Sequence, residues 1–193
     1  MTKKRARNET AVPLTDQLAD RWSPRGFDAS YEIADEDLTA LGEAARWAPS
    51  ANNLQPAHFI VARRGTPTFA TIVDALRPFN QAWAPRAALL LVSVAETSRD
   101  GKPLRFAEYD LGQAVAHLTV EAQARGLNVR QMGGFDVDKV RAAFDLPPEL
   151  LPVTVVAVGR HDPSEDVPAD LRERDAAPRV RRGLGELALI LDA

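Results

Sequence analysis

The stretch "RWAPSANNLQPAHFIV", Arg46–Val61, joins a segment with helical periodicity to a segment of β-branched and aromatic residues. From Pro49 to Pro56 it carries no charge, although connections on a protein surface often contain glycine or aspartate. Its side-chain amides and hydroxyl offer donors and acceptors without net charge, which suits a ligand with a flat, heteroatom-edged ring system. The alternative is a capped helix end followed by a proline-bounded turn. The stretch therefore marks a helix–turn–strand junction and a candidate binding segment.

The segments on either side of this junction alternate between helical and extended patterns. The apolar runs at residues 87–95 and 153–159 are typical of strands buried on both faces of a sheet. Helices are predicted after Asp35 and Thr66, which can act as caps, and from Asp136. The longest helix is predicted over Glu108–Arg125, with an apolar stripe of Leu111, Val115, Leu118 and Ala122 and with Gly126 as its C-terminal cap.

Alternating helices and strands favour, by themselves, a doubly wound parallel sheet. The glycine-rich phosphate loops that such folds use for nucleotides, G-x-G-x-x-G and G-x-x-x-x-G-K-[ST], do not occur in the sequence. The pattern therefore indicates an α/β or α+β protein and no more. There is no repeat and no Gly/Ser linker, so residues 15–193 are expected to form a single domain after a mobile N-terminal tail, residues 1–14.

Composition excludes several classes of function. A formal charge of −3 argues against a general nucleic-acid binder. The chain has no cysteine, and its three histidines do not have metal-binding spacing, so no metal site is expected. No apolar run reaches the roughly 18 residues that a membrane span needs, and the basic start lacks an apolar signal-peptide core. The protein is expected to be cytoplasmic and to bind neither membrane nor nucleic acid.

Three further segments have compositions that suit a ligand. "RWSPRGF", Arg21–Phe27, has two arginines that flank a serine, and guanidinium groups suit forked binding of phosphate oxygens. "RQMGGFD", Arg130–Asp136, has two glycines before a predicted helix, which let backbone N–H groups approach a ligand. "PRVRRGLGEL", Pro178–Leu187, adds more positive charge. The alternatives are solvated charges at the first and third segments and a plain tight turn at the second.

Side-chain arrangements for nucleophilic catalysis are missing. There is no G-x-S-x-G elbow, and no pair of acidic residues has the spacing of a glycosidase acid and base. If the protein is an enzyme, its central bond-making is therefore expected to depend on a cofactor.

Taken in order, these segments resemble the FMN-dependent nitroreductase family from about Thr15 to near the C-terminus. The most specific match is the pair "RWSPRGF" and "EAARWAPSANNLQP" at close to the family's usual separation. It is followed in the family's order by "RFAEYDLGQAVAHLTVEAQARGLNV", "MGGFD" and "VTVVAVGR".

The resemblance implies an α+β fold with a mixed, largely antiparallel sheet flanked by helices, and so replaces the doubly wound sheet. It also implies an obligate homodimer with one FMN in each of two clefts at the subunit interface. NAD(P)H would be the co-substrate, and hydride would pass through flavin N5 to nitroaromatic, quinone or similar electrophilic acceptors. Two alternatives stay open: a flavin-binding carrier or redox sensor without turnover, and a reductive dehalogenase or flavin-modifying enzyme on the same scaffold.

The resemblance also assigns residues to the FMN phosphate and ribityl chain. Arg21, Ser23 and Arg25 would hold them, because their positions match the family's motif. Trp22 would contribute mainly its backbone. The basic pair Arg179 and Arg181 would close over the phosphate in the same subunit.

The remaining assignments concern the flavin ring. Asn80 would hydrogen-bond the pyrimidine edge, and the backbone N–H groups of Gly133 or Gly134 would face N5, next to Met132. From the other subunit, the ring would be contacted by Pro49, Ser50, Ala51 and Asn53.

The sequence departs from the family's pattern at three of these places. Ala57 stands where many relatives have tryptophan, and Gly133 replaces an acidic side chain found in some members. Trp83 stands three residues after Asn80, where some members have a lysine near the ring. The group that polarises the pyrimidine side of the flavin is therefore not identified by the motif.

Overall fold

A computed structural model describes residues 8–187 of the chain. The helices and strands are α1 (Asp16–Asp20), α2 (Asp35–Arg46), β1 (Ala57–Arg63), α3 (Pro67–Ala75), α4 (Pro78–Gln81), β2 (Leu89–Glu96), β3 (Ser98–Arg99), β4 (Lys102–Pro103), α5 (Ala107–Ala124), β5 (Asn128–Met132), α6 (Val137–Ala143), β6 (Leu150–Gly159), α7 (Ala169–Ala176) and α8 (Leu184–Leu187). Single 3-10 turns lie at Ala51–Asn53 and Ala84–Arg86.

The main sheet has four strands in the order β1-β2-β6-β5, and every pairing is antiparallel. The α+β, largely antiparallel architecture is therefore confirmed, and the parallel sheet that the alternation alone favoured is wrong. The reason lies in the connections. The chain leaves β1 at Arg63 and enters β2 at Leu89, which is the direct partner of Arg63 in the ladder. The helices α3 and α4 return the chain to the same end of the sheet instead of crossing it, so the strand direction reverses.

Strand β2 is buried on both faces because helices cover both sides of the sheet. Leu90 and Val92 point into a core formed with α3, α6 and α7, whereas Leu89 and Leu91 point into a second core formed with α2 and α5. This alternation follows the two-residue period of a strand. Full burial of such a side chain contributes roughly 1.5–3 kcal/mol relative to exposure, so the apolar runs at β2 and β6 fix the centre of the fold.

Helix α5 packs on α2 and on the second face of the sheet. Its predicted apolar stripe is buried and consists of Leu111, Val115, Leu118 and Ala122. Gly126 follows the helix with φ of 71°, the left-handed backbone that suits glycine at a helix C-terminus. No described helix is long and apolar enough to cross a membrane.

Helix starts follow the predicted capping chemistry with one exception. The Thr66 hydroxyl accepts the N–H of Phe69 at 3.3 Å, as expected for a cap. Asp35, in contrast, is the first residue of α2, and the N-cap position belongs to Ala34, which has no acceptor in its side chain. The Asp35 carboxylate pairs instead with Arg63 on β1, so an ion pair between elements uses the group that capping would have used.

The N-terminal boundary of the domain stays a prediction. Residues 1–7 and the apolar end at 188–193 lie outside the described residues. Asn8 lies on α1: its N–H donates to Ala19 O at 2.8 Å, and its side-chain amide donates to Leu18 O and Arg21 O. Asn8 is therefore hydrogen-bonded to α1 and to Arg21, the first residue of the "RWSPRGF" segment.

Candidate functional site

The loop from Arg21 to Gly26 follows α1 and holds the first predicted arginines. Arg21 Nη1 donates to Ser23 Oγ at 3.3 Å, so the two predicted phosphate-binding side chains lie side by side. The Trp22 side chain is buried and lies edge-on to the His161 ring, with 4.8 Å between the ring centroids. This loop therefore directs Arg21 and Ser23 to the same place and anchors itself with the indole between them.

The C-terminal arginines reach the same loop. Arg179 Nη1 donates to Arg21 O at 3.2 Å, across 158 residues of sequence. The pKa of Arg21 is lowered from its ordinary value, first by burial and then by the positive charge of Arg181. Arg179 and Arg181 therefore lie close to Arg21, although Arg179 is 158 residues away from it in the sequence.

Arg25 is the most constrained of the loop's side chains. Its guanidinium lies over the Phe79 ring, 5.5 Å from the centroid, and is 3.9 Å from the carboxylate of Asp175. Its Nε is buried without a hydrogen-bond partner among residues 8–187. Burial lowers the pKa of Arg25; Asp175 opposes this shift and Arg174 adds to it. The side chain is therefore held in place with donor capacity left over.

Arg130, on β5, joins this group although no motif assigned it a role. Its Nη1 donates to Ser23 O at 2.6 Å, and its guanidinium lies over the Trp83 ring, 5.5 Å from the centroid. Its Nε is a second buried donor with no partner in the described part of the chain. Burial lowers the pKa of Arg130, and Arg25 lowers it further. The set of Arg21, Arg25, Arg130, Arg179 and Arg181 is called the arginine cluster below.

Asn80 and Gly134 form a second part of the site. The Asn80 side-chain amide donates to Gly134 O at 3.0 Å, and the N–H of Arg77 donates to the same oxygen at 2.9 Å. A Cβ atom built on Gly134 would lie 2.8 Å from Asn80 Nδ2, so only glycine permits this contact without a shift. Phe79, which precedes Asn80, carries the Arg25 guanidinium on its ring and so connects this pair to the arginine cluster.

The turn after β5 leaves backbone donors available. Strand β5 ends at Met132, whose side chain is buried in the core on the α3 and α6 side of the sheet. Among residues 8–187, the N–H groups of Gly133 and Gly134 donate to no loop, turn or side-chain acceptor. The predicted flavin contacts at this turn would therefore be made by the backbone.

The uncharged stretch Pro49–Pro56, called the neutral segment below, is anchored to α5 and, among the described residues, not to the arginine cluster. The buried carboxylate of Asp110 accepts the N–H of Ala51 at 3.0 Å, and the Ser50 hydroxyl accepts the N–H of Gln55 at 3.0 Å. Asn52 and Asn53 have φ of 52° and 56°, and both are exposed at the tip of the turn. A cavity of about 210 Å³ lies beside the segment, between α2, α5 and β1.

The Trp83 side chain lies in the core and does not face the candidate ligand site as a lysine there would. It is fully buried, stacks on Phe27 with 6.1 Å between the ring centroids, and lies beneath Arg130. Its Nε1 has no hydrogen-bond partner among the described residues. The Trp83 indole therefore supports the Arg130 guanidinium from below and supplies no cation of its own.

These residues fit an anionic ligand. The described arginines bring several positive charges to one loop, against one buried carboxylate, Asp175, that faces the loop's backbone. Two buried Nε–H groups of the cluster have no acceptor among residues 8–187, and leaving a buried donor unsatisfied costs about 1–3 kcal/mol. A phosphate group, which carries close to two negative charges and several acceptor oxygens, would supply what the cluster lacks.

Comparison with known proteins identifies the family. The model of the Nitroreductase family matches residues 18–68 and 65–160. The chain belongs to the nitroreductase family. Its fold agrees with a solved structure of an oxidoreductase containing FMN, with a TM-score of 0.89 and 32% identity over 98% of this chain and 96% of the other.

Two relatives extend the comparison. An uncharacterized 15.4 kDa protein in the ask 5' region of Mycolicibacterium smegmatis is 37% identical over 67% of this chain and 92% of its own length. The putative NAD(P)H nitroreductase YodC of Bacillus subtilis is 24% identical over 75% of this chain and 88% of its own length. The similarity therefore covers most of each protein.

The nitroreductase motifs omitted two charged residues of this region, Arg130 and Asp175. Arg130 stands at the start of the "RQMGGFD" segment, so its position next to the glycines was a usable signal. Asp175 has no local signal, because its partners are about 150 residues away in the sequence. The roles of the motif residues themselves stay predictions on which the following proposal depends.

Proposed function

We propose that this nitroreductase-family chain is an FMN-dependent oxidoreductase that uses NAD(P)H to reduce nitroaromatic, quinone or similar electrophilic acceptors. The observation that carries the proposal is the arginine cluster: Arg179 and Arg181 lie close to Arg21, and two buried Nε–H groups lack an acceptor in the described part of the chain. When bound, FMN would supply the redox chemistry, taking up hydride from the nicotinamide and giving electrons to the acceptor. The chain's own residues would bind, orient and shield the reactants.

The arginine cluster would hold the phosphate end of the cofactor. Arg21 and Ser23 already lie within hydrogen-bond distance of each other, so their donors converge without rearrangement. Arg25 is fixed over Phe79 and by the nearby Asp175, which reduces the ordering cost of binding. Charge-assisted, forked hydrogen bonds from guanidinium groups to phosphate are stronger than neutral ones.

The Asn80–Gly134 pair and the adjacent turn would hold the ring. Asn80 uses one amide hydrogen for Gly134 O and keeps further donor and acceptor capacity for a heteroatom edge. The N–H groups of Gly133 and Gly134 would offer fixed donors where negative charge develops on reduction, which is the general way in which oriented amides assist such chemistry.

The neutral segment supports the proposal of a homodimer. Its exposed amides at Asn52 and Asn53 carry no charge, so a second copy could cover them without the cost of burying an unpaired ion. In the proposed assembly Pro49, Ser50, Ala51 and Asn53 would contact the cofactor of the partner subunit. Anchoring of Ala51 to Asp110 would fix the segment before association, which lowers the entropy lost on binding.

The nicotinamide requirement rests on the family and on the name of the Bacillus subtilis relative, a putative NAD(P)H nitroreductase. The experiment is to purify the protein, record its visible spectrum, and titrate it anaerobically with NADH and with NADPH. We expect a yellow protein whose flavin absorbance bleaches with at least one of the two and recovers on addition of menadione or nitrofurazone. A colourless preparation that binds no added FMN would refute the proposal, and bound FMN that neither nucleotide bleaches would favour a carrier or sensor.

Substitution of Gly134 by alanine should impair turnover more than it impairs folding. The added methyl group would lie 2.8 Å from Asn80 Nδ2, the far end of a flexible side chain, so Asn80 should move and lose its bond to Gly134 O. We expect steady-state kcat/KM to fall about tenfold, since one lost hydrogen bond costs about 0.5–1.5 kcal/mol and the turn also shifts. The melting temperature should change by only a few degrees.

Gly133→Ala provides the comparison, because a methyl group there would meet no other atom within 4 Å. If Gly134→Ala acts through Asn80, the double variant with Asn80→Ala should be no more impaired than the worse single variant. Additive losses would show that Asn80 and Gly134 contribute independently.

A further inference from the structure

The Arg21–Gly26 loop is held by a buried carboxylate to which the motif assigns no role. Asp175, on α7, is 5% exposed. Its Oδ2 accepts the N–H groups of Arg25 and Gly26, each at 2.8 Å, and its Oδ1 accepts the N–H of Arg25 at 3.0 Å. One side chain thus fixes two consecutive peptide groups of the loop from 150 residues away.

Arg130 holds the same loop from the opposite element. Its Nη1 donates to Ser23 O at 2.6 Å, while the Trp83 ring supports its guanidinium. The backbone from Ser23 to Gly26 is therefore held by two side chains. Arg130 binds one of its carbonyl groups, and Asp175 binds two of its N–H groups. Hydrogen bonds that involve a charged group are stronger than neutral ones, so the bonds from Arg130 and Asp175 both restrain the loop.

Packing leaves the loop no alternative path at Gly26. A Cβ atom at this residue would lie 3.0 Å from a methyl carbon of Val167 and 3.1 Å from Asp162 O. The backbone is thus pressed against the segment that leads into α7. Small changes in the hydrogen bonds of Asp175 should therefore reorient Arg25 and Ser23, because the packed backbone cannot adjust locally to compensate.

The negative charge of Asp175 and the hydrogen bonds of its oxygens would have opposite effects on the affinity for phosphate. A carboxylate near an anion site repels the anion, and Asp175 is 3.9 Å from Arg25 Nη1. Both of its oxygens, however, are engaged by backbone N–H groups. If its charge dominated, neutralising it would strengthen phosphate binding, whereas if its geometry dominates, neutralising it weakens binding. The two effects have different signs and can be separated by measurement.

We propose that Asp175 is a positioning residue that, together with Arg130, fixes the Ser23–Gly26 backbone so that the loop selects a phosphate monoester over the same ligand without phosphate. The inference rests on the proposed function, because the phosphate monoester is that of FMN and the matched ligand is riboflavin. Asp175 would act through the loop, because both of its oxygens accept backbone N–H groups there.

The test is to measure the dissociation constants of FMN and riboflavin for apoprotein of the wild type, Asp175→Asn and Glu173→Gln by fluorescence quenching. The two variants remove the same single charge from α7, but Glu173 is exposed and holds no loop N–H. An asparagine at 175 can accept with only one oxygen and presents an amide to the loop. We therefore expect Asp175→Asn to weaken FMN binding about tenfold, the scale of one lost charged hydrogen bond, with riboflavin changed less than about twofold.

Glu173→Gln should leave the ratio of the two constants within about twofold of the wild type, since exposed charges interact weakly. FMN binding by Asp175→Asn that is unchanged or tighter, or an equal loss for FMN and riboflavin, would overturn the inference. Gly26→Ala is the second variant, because its Cβ would lie 3.1 Å from Asp162 O and would shift the loop without removing a charge; it should also weaken FMN selectively. If Asp175→Asn does not fold, retained FMN selectivity in Gly26→Ala overturns the inference. Failure of the wild type to bind FMN refutes the proposed function instead, so the two failures are distinct.

Discussion

Replacing Arg25 and Arg181 together by alanine should raise the dissociation constant for FMN by about 100-fold or more. Each hydrogen bond to a charged group that is lost costs about 1.5–3 kcal/mol of binding free energy, and the two arginines come from distant parts of the sequence. Arg25 is held over Phe79 with a buried, unpartnered Nε, and Arg181 lies close enough to lower the pKa of Arg21. Riboflavin, which lacks the phosphate, should lose much less affinity. Titration of apoprotein with both ligands measures the difference.

The control for this experiment is Arg99→Ala with Arg105→Ala, which removes the same charge from two exposed arginines outside the cluster. That variant should bind both ligands within about twofold of the wild type at physiological ionic strength, where exposed charges beyond about 8 Å are largely screened. Equal losses of FMN and riboflavin in Arg25→Ala/Arg181→Ala would mean that the arginines shape the fold and do not bind the phosphate.

The sequence predicted the individual elements better than their arrangement. The continuous apolar run of β2 and the stripe of α5 each require burial, so their existence and type followed from local pattern. Strand direction did not, because a helix between two strands is compatible with either direction. The pairing of Arg63 with Leu89 depends on how the intervening helices pack, and only the resemblance to a family supplied the antiparallel sheet.

A similar division holds for the candidate site. Arg21 and Ser23 lie in one short motif, and their contact at 3.3 Å is a local one that the spacing allowed. The approach of Arg179 to Arg21 was implied only by the family. Asp175 could not be found by either route, because an aspartate in a charged helix resembles ordinary surface sequence. Its burial depends on the three-dimensional return of α7 to the loop.

Trp83 stands where some members of the family have a lysine, and this is the departure from the family pattern with the largest structural consequence. A lysine near the ring would point its ammonium group into the cleft, but Trp83 is fully buried between Phe27 and Arg130. Its indole instead supports the guanidinium of Arg130, which donates to Ser23 O and belongs to the arginine cluster. The tryptophan and the arginine therefore act as a pair: the ring supports a cation that comes from a different strand.

This pairing predicts that Trp83→Lys will not restore the pattern of the lysine-bearing relatives but will destabilise the protein. The variant should lose about 4 kcal/mol or more of unfolding free energy, because removing a buried tryptophan costs about 3–5 kcal/mol and a buried ammonium beside Arg130 adds an unpaired charge. Urea unfolding at fixed protein concentration measures the loss. Trp83→Phe is the matched variant: it removes the unpartnered Nε1–H and keeps a ring against Phe27.

We expect Trp83→Phe to cost less than about 2 kcal/mol, since only part of the ring volume is lost. It should keep FMN binding within a few-fold, because the ring beneath Arg130 remains. A Trp83→Lys protein as stable as the wild type would show that position 83 faces the cleft and can hold an ammonium group in solvent. In that case neither the packing against Phe27 nor the support of the Arg130 guanidinium would require the indole.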